Sequence, residues 1–102
     1  MREAISPRKG YVVSYDICDP KRLRLVFKVM RGYGDHLQLS VFRCELSASE
    51  MVELRAKLVD AMNLREDQVL FIDIGPADSR STTAIEALGR AYTHPERAAV
   101  VV

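Results

Sequence analysis

"YVVSYDICDPKRLRLVFKVMRGYG", residues 11–34, contains a strand, a helix start and a helix end in succession. Tyr11–Ile17 is a short run of β-branched and aromatic residues, which is typical of a buried strand. Asp19 and Pro20 form a helix-start signal, with Asp19 as the N-cap and Pro20 at the first helical position. We expect this helix to run to about Arg31 and to end in a left-handed conformation at the glycines of "GYG".

The rest of the sequence predicts further strands and a second helix. His36–Leu46 has the alternation of an extended strand, with apolar residues on both of its faces. "SASE" at Ser47–Glu50 is a capping box that opens the second helix. Gln68–Ile74 is a very apolar third strand. Residues 84–89 end in a glycine and favour a short return strand over a helix.

This order of elements predicts an α+β fold, a ferredoxin-like sandwich with two helices on one face of a mainly antiparallel sheet. At 102 residues the chain is a single domain, residues 1–102, with its core at about 11–89. Each helix carries an apolar stripe at helical spacing, formed by Leu23, Val26, Phe27 and Met30 in the first and by Met51, Leu54, Leu58 and Met62 in the second.

The predicted strands are apolar on both sides, so the sheet face opposite the helices is expected to be covered. A homodimer that packs sheet against sheet would cover it. The terminal "AAVVV", residues 98–102, is β-forming and is expected to add to the edge of the partner's sheet.

Composition excludes several classes of protein. The apolar content of 48% is typical of a globular domain. No apolar run approaches the ~18 residues of a membrane span, and the polar start "MREAISPRKG" is not a secretory signal. Cys18 and Cys44 match no metal or redox spacing, which favours two reduced thiols in a cytoplasmic protein.

Positive charge is concentrated in the first half of the chain. Residues 1–43 hold nine Lys and Arg against four Asp and Glu, whereas residues 44–102 hold six against ten. The first helix carries a basic stripe at i, i+3, i+7 and i+10, with Arg22 beside it and no acid in between to form ion pairs. A solvated surface is one interpretation, and binding to a DNA or RNA backbone is the other. The basic stripe consists of Lys21, Arg24, Lys28 and Arg31.

Asp16 ends an apolar strand and, unlike Asp19, has no helix to cap. One interpretation is a strand-end carboxylate that is hydrogen-bonded to loop amides. The other is a ligand for Mg²⁺, which needs only one or two carboxylates when water and phosphate oxygens complete its coordination. A dimer axis near Asp16 would supply two. The bound ion would polarise a phosphodiester and activate a water nucleophile.

Three segments together resemble the CRISPR-associated Cas-two family, over about Tyr11 to Gly89. They are "YDICD" at the end of the first strand, "YG" after the first helix and "LQLSVFRCEL" before the second helix. The resemblance implies a small, dimeric, ferredoxin-like subunit of the spacer-acquisition machinery, with an exchanged C-terminal strand. It implies that Asp16 is the metal-linked, catalytic aspartate, with Mg²⁺ or Mn²⁺ as the cofactor. Tyr15 and Phe42 match positions that the family associates with its dimeric site.

The resemblance implies two functions. One is a metal-dependent endonuclease that hydrolyses phosphodiester bonds of RNA or DNA, and the other is a non-catalytic DNA-binding bridge between integrase subunits. Two departures alter the charge near the implied dimeric site: Arg43 stands where many relatives have an acid, and His36 where a basic residue is common. Apart from the resemblance, a regulatory module that binds a small ligand at its dimer interface is a third possibility, with "GPADSRS" as a weak candidate loop.

Overall fold

A computed structural model of the chain describes residues 7–77 and 84–90; the terminal strand expected at 98–102 lies outside them. The elements are, in chain order, β1 (Lys9–Asp16), α1 (Pro20–Arg31), β2 (Gly34–Gln38), β3 (Val41–Leu46), α2 (Ala48–Ala61) and β4 (Gln68–Pro76). The sheet order is β2-β3-β1-β4, and all neighbouring strands are antiparallel. With both helices on one face, this is the predicted ferredoxin-like α+β sandwich.

The segment His36–Leu46, predicted as one strand, belongs to a β-hairpin. β2 ends at Gln38 and β3 begins at Val41, and Leu39 in the turn between them is 90% exposed. No Gly, Pro, Asn or Asp marks this turn, and the apolar alternation continues across it, so the sequence pattern looks like a single strand. The hairpin supplies the fourth strand of the sheet. The return strand expected at 84–89 is wrong, because residues 84–90 form neither helix nor strand.

Both helices begin where the capping signals predict. Asp19 caps α1, its carboxylate accepting a hydrogen bond from the Arg22 backbone N–H at 3.0 Å, and Pro20 is the first helical residue. At the start of α2, Ser47 Oγ accepts from the Glu50 N–H at 3.2 Å. The Glu50 carboxylate accepts in return from the Ser47 N–H at 2.9 Å. The capping box is therefore confirmed.

The end of α1 differs from the prediction. Gly32 follows the helix with φ −79° and ψ −8°, in the right-handed region, and Gly34 has no positive φ, so the left-handed exit expected at one of these glycines is wrong. Gly34 is required for a different reason: a Cβ there would lie 2.5 Å from both the Arg43 carbonyl oxygen and Cys44 Sγ. The second glycine of "GYG" therefore lets β2 approach β3 closely.

The core lies between the helices and one face of the sheet. Each helix buries the centre of its predicted stripe there, whereas Leu23 at the edge of the α1 stripe is 37% exposed. Val13 in β1 pairs with Phe42 in β3 and with Phe71 in β4, which places the three side chains on the core face. The buried core residues are Val13, Tyr15, Val26, Met30, Phe42, Cys44, Leu46, Leu54 and Leu58.

The opposite face of the sheet carries no helix in the described part of the chain. We call it the uncovered face; its apolar residues are Val12, Val41, Leu70 and Ile72. Leu70 and Ile72 are 49% and 48% exposed. The prediction of apolar residues on both sides of the sheet is therefore confirmed.

Candidate metal and nucleic-acid site

Asp16 is the last residue of β1, and its side chain is exposed. The neighbouring Tyr15 points into the core, and side chains alternate along a strand, so Asp16 lies on the side of the uncovered face. Across the sheet it pairs with Gln68, the first residue of β4. Its carboxylate forms no hydrogen bond or ion pair with the residues described, so the interpretation as an amide-bonded strand end has no support among them.

The described part of one chain does not complete a metal site. It holds no group of three or more His, Cys, Asp or Glu residues placed to share an ion. The nearby Asp19 carboxylate caps α1, with Oδ2 accepting the Arg22 backbone N–H. A carboxylate is nevertheless the ligand that Mg²⁺ and Mn²⁺ prefer, and water and phosphate oxygens can supply the other positions. Asp16 therefore fits such an ion when a second chain or a nucleic acid adds ligands.

A buried carboxylate, Asp67, holds the loop that follows Asp16. Its side chain has 0% exposure. It accepts hydrogen bonds from the backbone N–H of Cys18 at 2.9 Å and of Asn63 at 2.8 Å. It also accepts from Arg22, through Nε at 2.8 Å and Nη2 at 3.2 Å. These bonds join the β1–α1 connection to the α2–β4 connection.

Arg22 is engaged by acids of its own chain. Hydrogen bonds from its guanidinium hold the pKa of Asp67 well below its usual range, and those bonds raise the pKa of Arg22 in turn. Nη2 also donates to Glu66 at 3.0 Å. The sequence grouped Arg22 with the nucleic-acid-binding cations, but its donors are directed at Asp67 and Glu66. Sequence reasoning did not identify Asp67.

The basic stripe remains available to an external ligand. All four side chains are exposed, and none forms an ion pair within residues 7–77 and 84–90. Lys28 and Arg31 lie in the last turn of α1, where the helix dipole favours cations. The Arg31 guanidinium also lies 5.7 Å from the centre of the Phe27 ring. Lys28 lines a groove of about 870 Å³ between the helices, which Glu53 also lines.

Tyr15 and Phe42, assigned to a dimeric site by the resemblance, are core residues in the single chain. Their rings stack at 6.3 Å and are 4% and 0% exposed. Burial raises the pKa of Tyr15, whose hydroxyl has no hydrogen-bond partner among the described residues. Because Phe42 is fully buried, it cannot contact a second chain directly in this conformation. A role for the pair at a dimeric site stays a prediction.

The two departures from the family pattern are both packed into the sheet. His36 lies 5.1 Å from the Phe27 ring and 4.9 Å from the Phe42 ring, between centroids. Arg43 is 9% exposed and donates to Glu45 at 2.8 Å. Each side chain therefore has a structural role.

Comparison with known proteins identifies relatives over most of the chain. The sequence profile of the family described as CRISPR associated protein Cas2 matches residues 9–82. CRISPR-associated endoribonuclease Cas2 1 of Rhodospirillum rubrum is 45% identical over 93 residues, which cover 91% of this chain and 90% of that protein. CRISPR-associated endoribonuclease Cas2 of Geobacter sulfurreducens is 39% identical over 92 residues, or 90% and 96% of the two chains.

Two solved structures have a fold similar to that of this chain. The structure of Streptococcus pyogenes Cas2 at pH 6.5 is similar with a TM-score of 0.69 and 30% identity, covering 78% of this chain and 99% of that one. A hypothetical protein from Thermus thermophilus has a TM-score of 0.71 and 26% identity, with coverages of 84% and 99%. In the described part of this chain, no helix is long and apolar enough to cross a membrane.

Proposed function

Because the chain belongs to the CRISPR-associated Cas2 family, we propose that it is a CRISPR adaptation subunit that hydrolyses phosphodiester bonds of RNA or DNA with Mg²⁺ or Mn²⁺. The observation that carries this proposal is Asp16, an exposed carboxylate without a partner in the described chain, at the edge of the uncovered face. The relatives from R. rubrum and G. sulfurreducens are named endoribonucleases, so RNA is the first substrate to test.

The site that we propose is shared by two chains of a homodimer. Asp16 lies on the side of the apolar uncovered face, where Leu70 and Ile72 are each about half exposed. A second chain packed on this face would bury these residues and bring a second Asp16 toward the first. The two carboxylates would hold the ion, which when bound polarises the phosphodiester and lowers the pKa of a water nucleophile.

The basic stripe would bind the substrate. Its four cations are exposed and unpaired within the described chain, and they project from α1, the helix that follows Asp16 by one short loop. Lys and Arg contacts to phosphates position a nucleic acid without selecting its sequence. The stripe is therefore suited to aligning a backbone along α1.

The second candidate function is the non-catalytic bridge, in which the protein binds DNA and joins the integrase subunit during spacer capture. The basic stripe favours it independently of Asp16, because backbone binding requires no metal. In this function, Asp16 has no chemical role.

Replacement of one carboxylate tests the catalytic proposal. Asp16→Asn is expected to lower Mg²⁺-dependent cleavage of RNA or duplex DNA by at least about 100-fold, since the ion contributes several kcal/mol to the transition state. Asp60→Asn, which changes an exposed acid of α2, is the matched control and should cleave at the wild-type rate. Undiminished cleavage by Asp16→Asn would contradict the catalytic proposal. Loss of cleavage with full DNA binding would support it.

A further inference from the structure

We infer that Asp67 and Arg22 are positioning residues for Asp16, and that their ion pair fixes the β1–α1 connection, which begins directly after Asp16. The catalytic consequence of this inference rests on the proposed function. The structural part of the inference, that the ion pair fixes the conformation of this connection, is independent of the proposed function.

The contacts of Glu66 and Asp67 with the β1–α1 connection lie close to Asp16 along the chain. Cys18 is two residues after Asp16, and its backbone N–H donates to Asp67 Oδ1 at 2.9 Å. The Cys18 thiol donates in addition to the Glu66 carbonyl oxygen at 2.9 Å. Asp16 is therefore bounded by the β1 ladder on one side and by residues 66–67 on the other.

Asp67 is itself held in place by its own backbone and by Asn63. It directly precedes Gln68, the β4 residue that pairs with Asp16. Its backbone N–H donates to the Asn63 carbonyl oxygen at 2.8 Å, and its carboxylate accepts from the Asn63 N–H at 2.8 Å. Movement of Asp67 would thus disturb the loop before β4. This anchoring holds Asp67 in place beside the β1–α1 connection, which begins directly after Asp16.

The planar guanidinium of Arg22 donates through Nε and Nη2 to both carboxylate oxygens of Asp67. A lysine would keep the charge but lose this two-nitrogen geometry. Arg22→Lys therefore separates two roles of this residue. A phosphate-binding cation tolerates the change, whereas a positioning residue does not.

Substitution of Asp67 distinguishes a positioning role from a purely electrostatic one, because the two roles predict different effects on nucleic-acid binding and on the cleavage rate. If Asp67 influenced nucleic acid only by its charge, its removal would make the region more positive and tighten binding. If it positions Asp16, Asp67→Asn lowers the cleavage rate constant and leaves nucleic-acid affinity nearly unchanged.

Cys18 provides a readout that needs no catalysis. It is exposed and belongs to the connection in question, whereas Cys44 is buried and burial raises its pKa to about 12. A chromogenic disulfide reagent added to the folded protein should therefore report on Cys18. In Asp67→Asn and Arg22→Lys, we expect the rate of Cys18 modification to rise about tenfold, as for loss of one hydrogen bond to a charged group.

Arg8→Gln is the matched control. Arg8 forms a two-nitrogen pair with Glu50, at 2.6 and 3.1 Å. It directly precedes β1, whose other end is Asp16, so the length of the strand, roughly 26 Å at the usual rise per residue, separates the two. This variant should lower stability but leave Cys18 modification and cleavage unchanged. Equal acceleration of Cys18 modification in Arg8→Gln would overturn the inference, because general loosening would then explain it.

The cleavage assay completes the test. Asp67→Asn and Arg22→Lys are both expected to lower kcat with KM nearly unchanged, although Arg22→Lys keeps the positive charge. Wild-type modification rates of Cys18 in both folded variants would overturn the inference, even if cleavage fell. A wild type that cleaves no nucleic acid, together with accelerated Cys18 modification in the two variants, would support the ion pair's role in fixing the connection and would contradict the proposed nuclease function.

Discussion

Tyr15 and Asp16 are neighbours in β1, yet they lie on opposite faces of the sheet. Tyr15 is 4% exposed and stacks on Phe42, whereas Asp16 is exposed beside the uncovered face. A register shift of one residue would place the carboxylate in the core and the ring in water. The apolar pattern that fixes the register of β1 therefore also fixes the face of the sheet on which the Asp16 side chain lies.

Replacing Tyr15 with Phe should leave the protein as stable as the wild type, or stabilise it by up to about 1 kcal/mol, because its buried hydroxyl has no partner among the described residues. Urea unfolding of the two proteins gives the comparison. A loss of more than about 1 kcal/mol would show that the hydroxyl makes a favourable bond.

Reversing two charges of the basic stripe tests its role in binding. Lys28→Glu combined with Arg31→Glu should weaken duplex DNA binding and lower the slope of log Kd against log salt by about 2, as two phosphate contacts are lost. Arg55→Glu combined with Arg65→Glu gives the same change in net charge outside α1. Equal weakening by both double variants would mean that net charge, and not the stripe, governs binding.

A charge on the uncovered face should dissociate the proposed homodimer. Ile72 is 48% exposed there, and a buried carboxylate without a partner would weaken association at least about tenfold. Ile72→Glu is compared by sedimentation velocity with Val52→Glu, which changes a 69% exposed residue of α2. Dimers that resist the first substitution, or that are lost with both, would argue against this face as the interface.

Asp67 should make stability dependent on pH in a defined direction. Its pKa in the folded chain lies below the ordinary value of 3.8, chiefly because Arg22 hydrogen-bonds to the charged form. Because the pKa is lowered by folding, the stabilisation is complete at pH values above the ordinary one. It is lost as the pH falls toward the folded-state pKa.

The difference in unfolding free energy between wild type and Asp67→Asn should therefore be largest near neutral pH and smaller at about pH 3. The charged groups around the Asp67 carboxylate are Arg22, Glu66 and Asp19, and all three are retained in Asp67→Asn. Urea unfolding at both pH values gives the two differences. A difference that is constant with pH would contradict the lowered pKa.

Local signals in the sequence predicted the parts of the fold that depend on a few adjacent residues. Asp19 and Pro20 start α1, and the Ser47–Glu50 capping box starts α2, because each cap acts within one helical turn. The β2–β3 turn could not be found in this way. Ser40 is the one turn-favouring residue there and the apolar alternation runs on through Leu39, so the pairing of β2 with β3 fixes the turn instead.

The site was predictable only in part, for the same reason. The position of Asp16 follows from strand alternation, but Asp67 meets Cys18 across 49 positions of sequence. In "REDQ", nothing local distinguishes Asp67 from Glu66. For Arg22 the sequence contained only a weak indication of a separate role, since this residue falls outside the spacing of the basic stripe. Its pairing with Asp67 becomes evident only when the two connections lie side by side.

The most direct test of the shared metal site is a crystal structure of the dimer grown with Mn²⁺, with anomalous diffraction recorded for the ion. A shared site predicts an anomalous peak bound by the Asp16 carboxylates of both chains, and no such peak in crystals of Asp16→Asn. Two Asp16 carboxylates too far apart to share an ion, with no anomalous peak at either, would contradict it and favour the non-catalytic DNA-binding bridge.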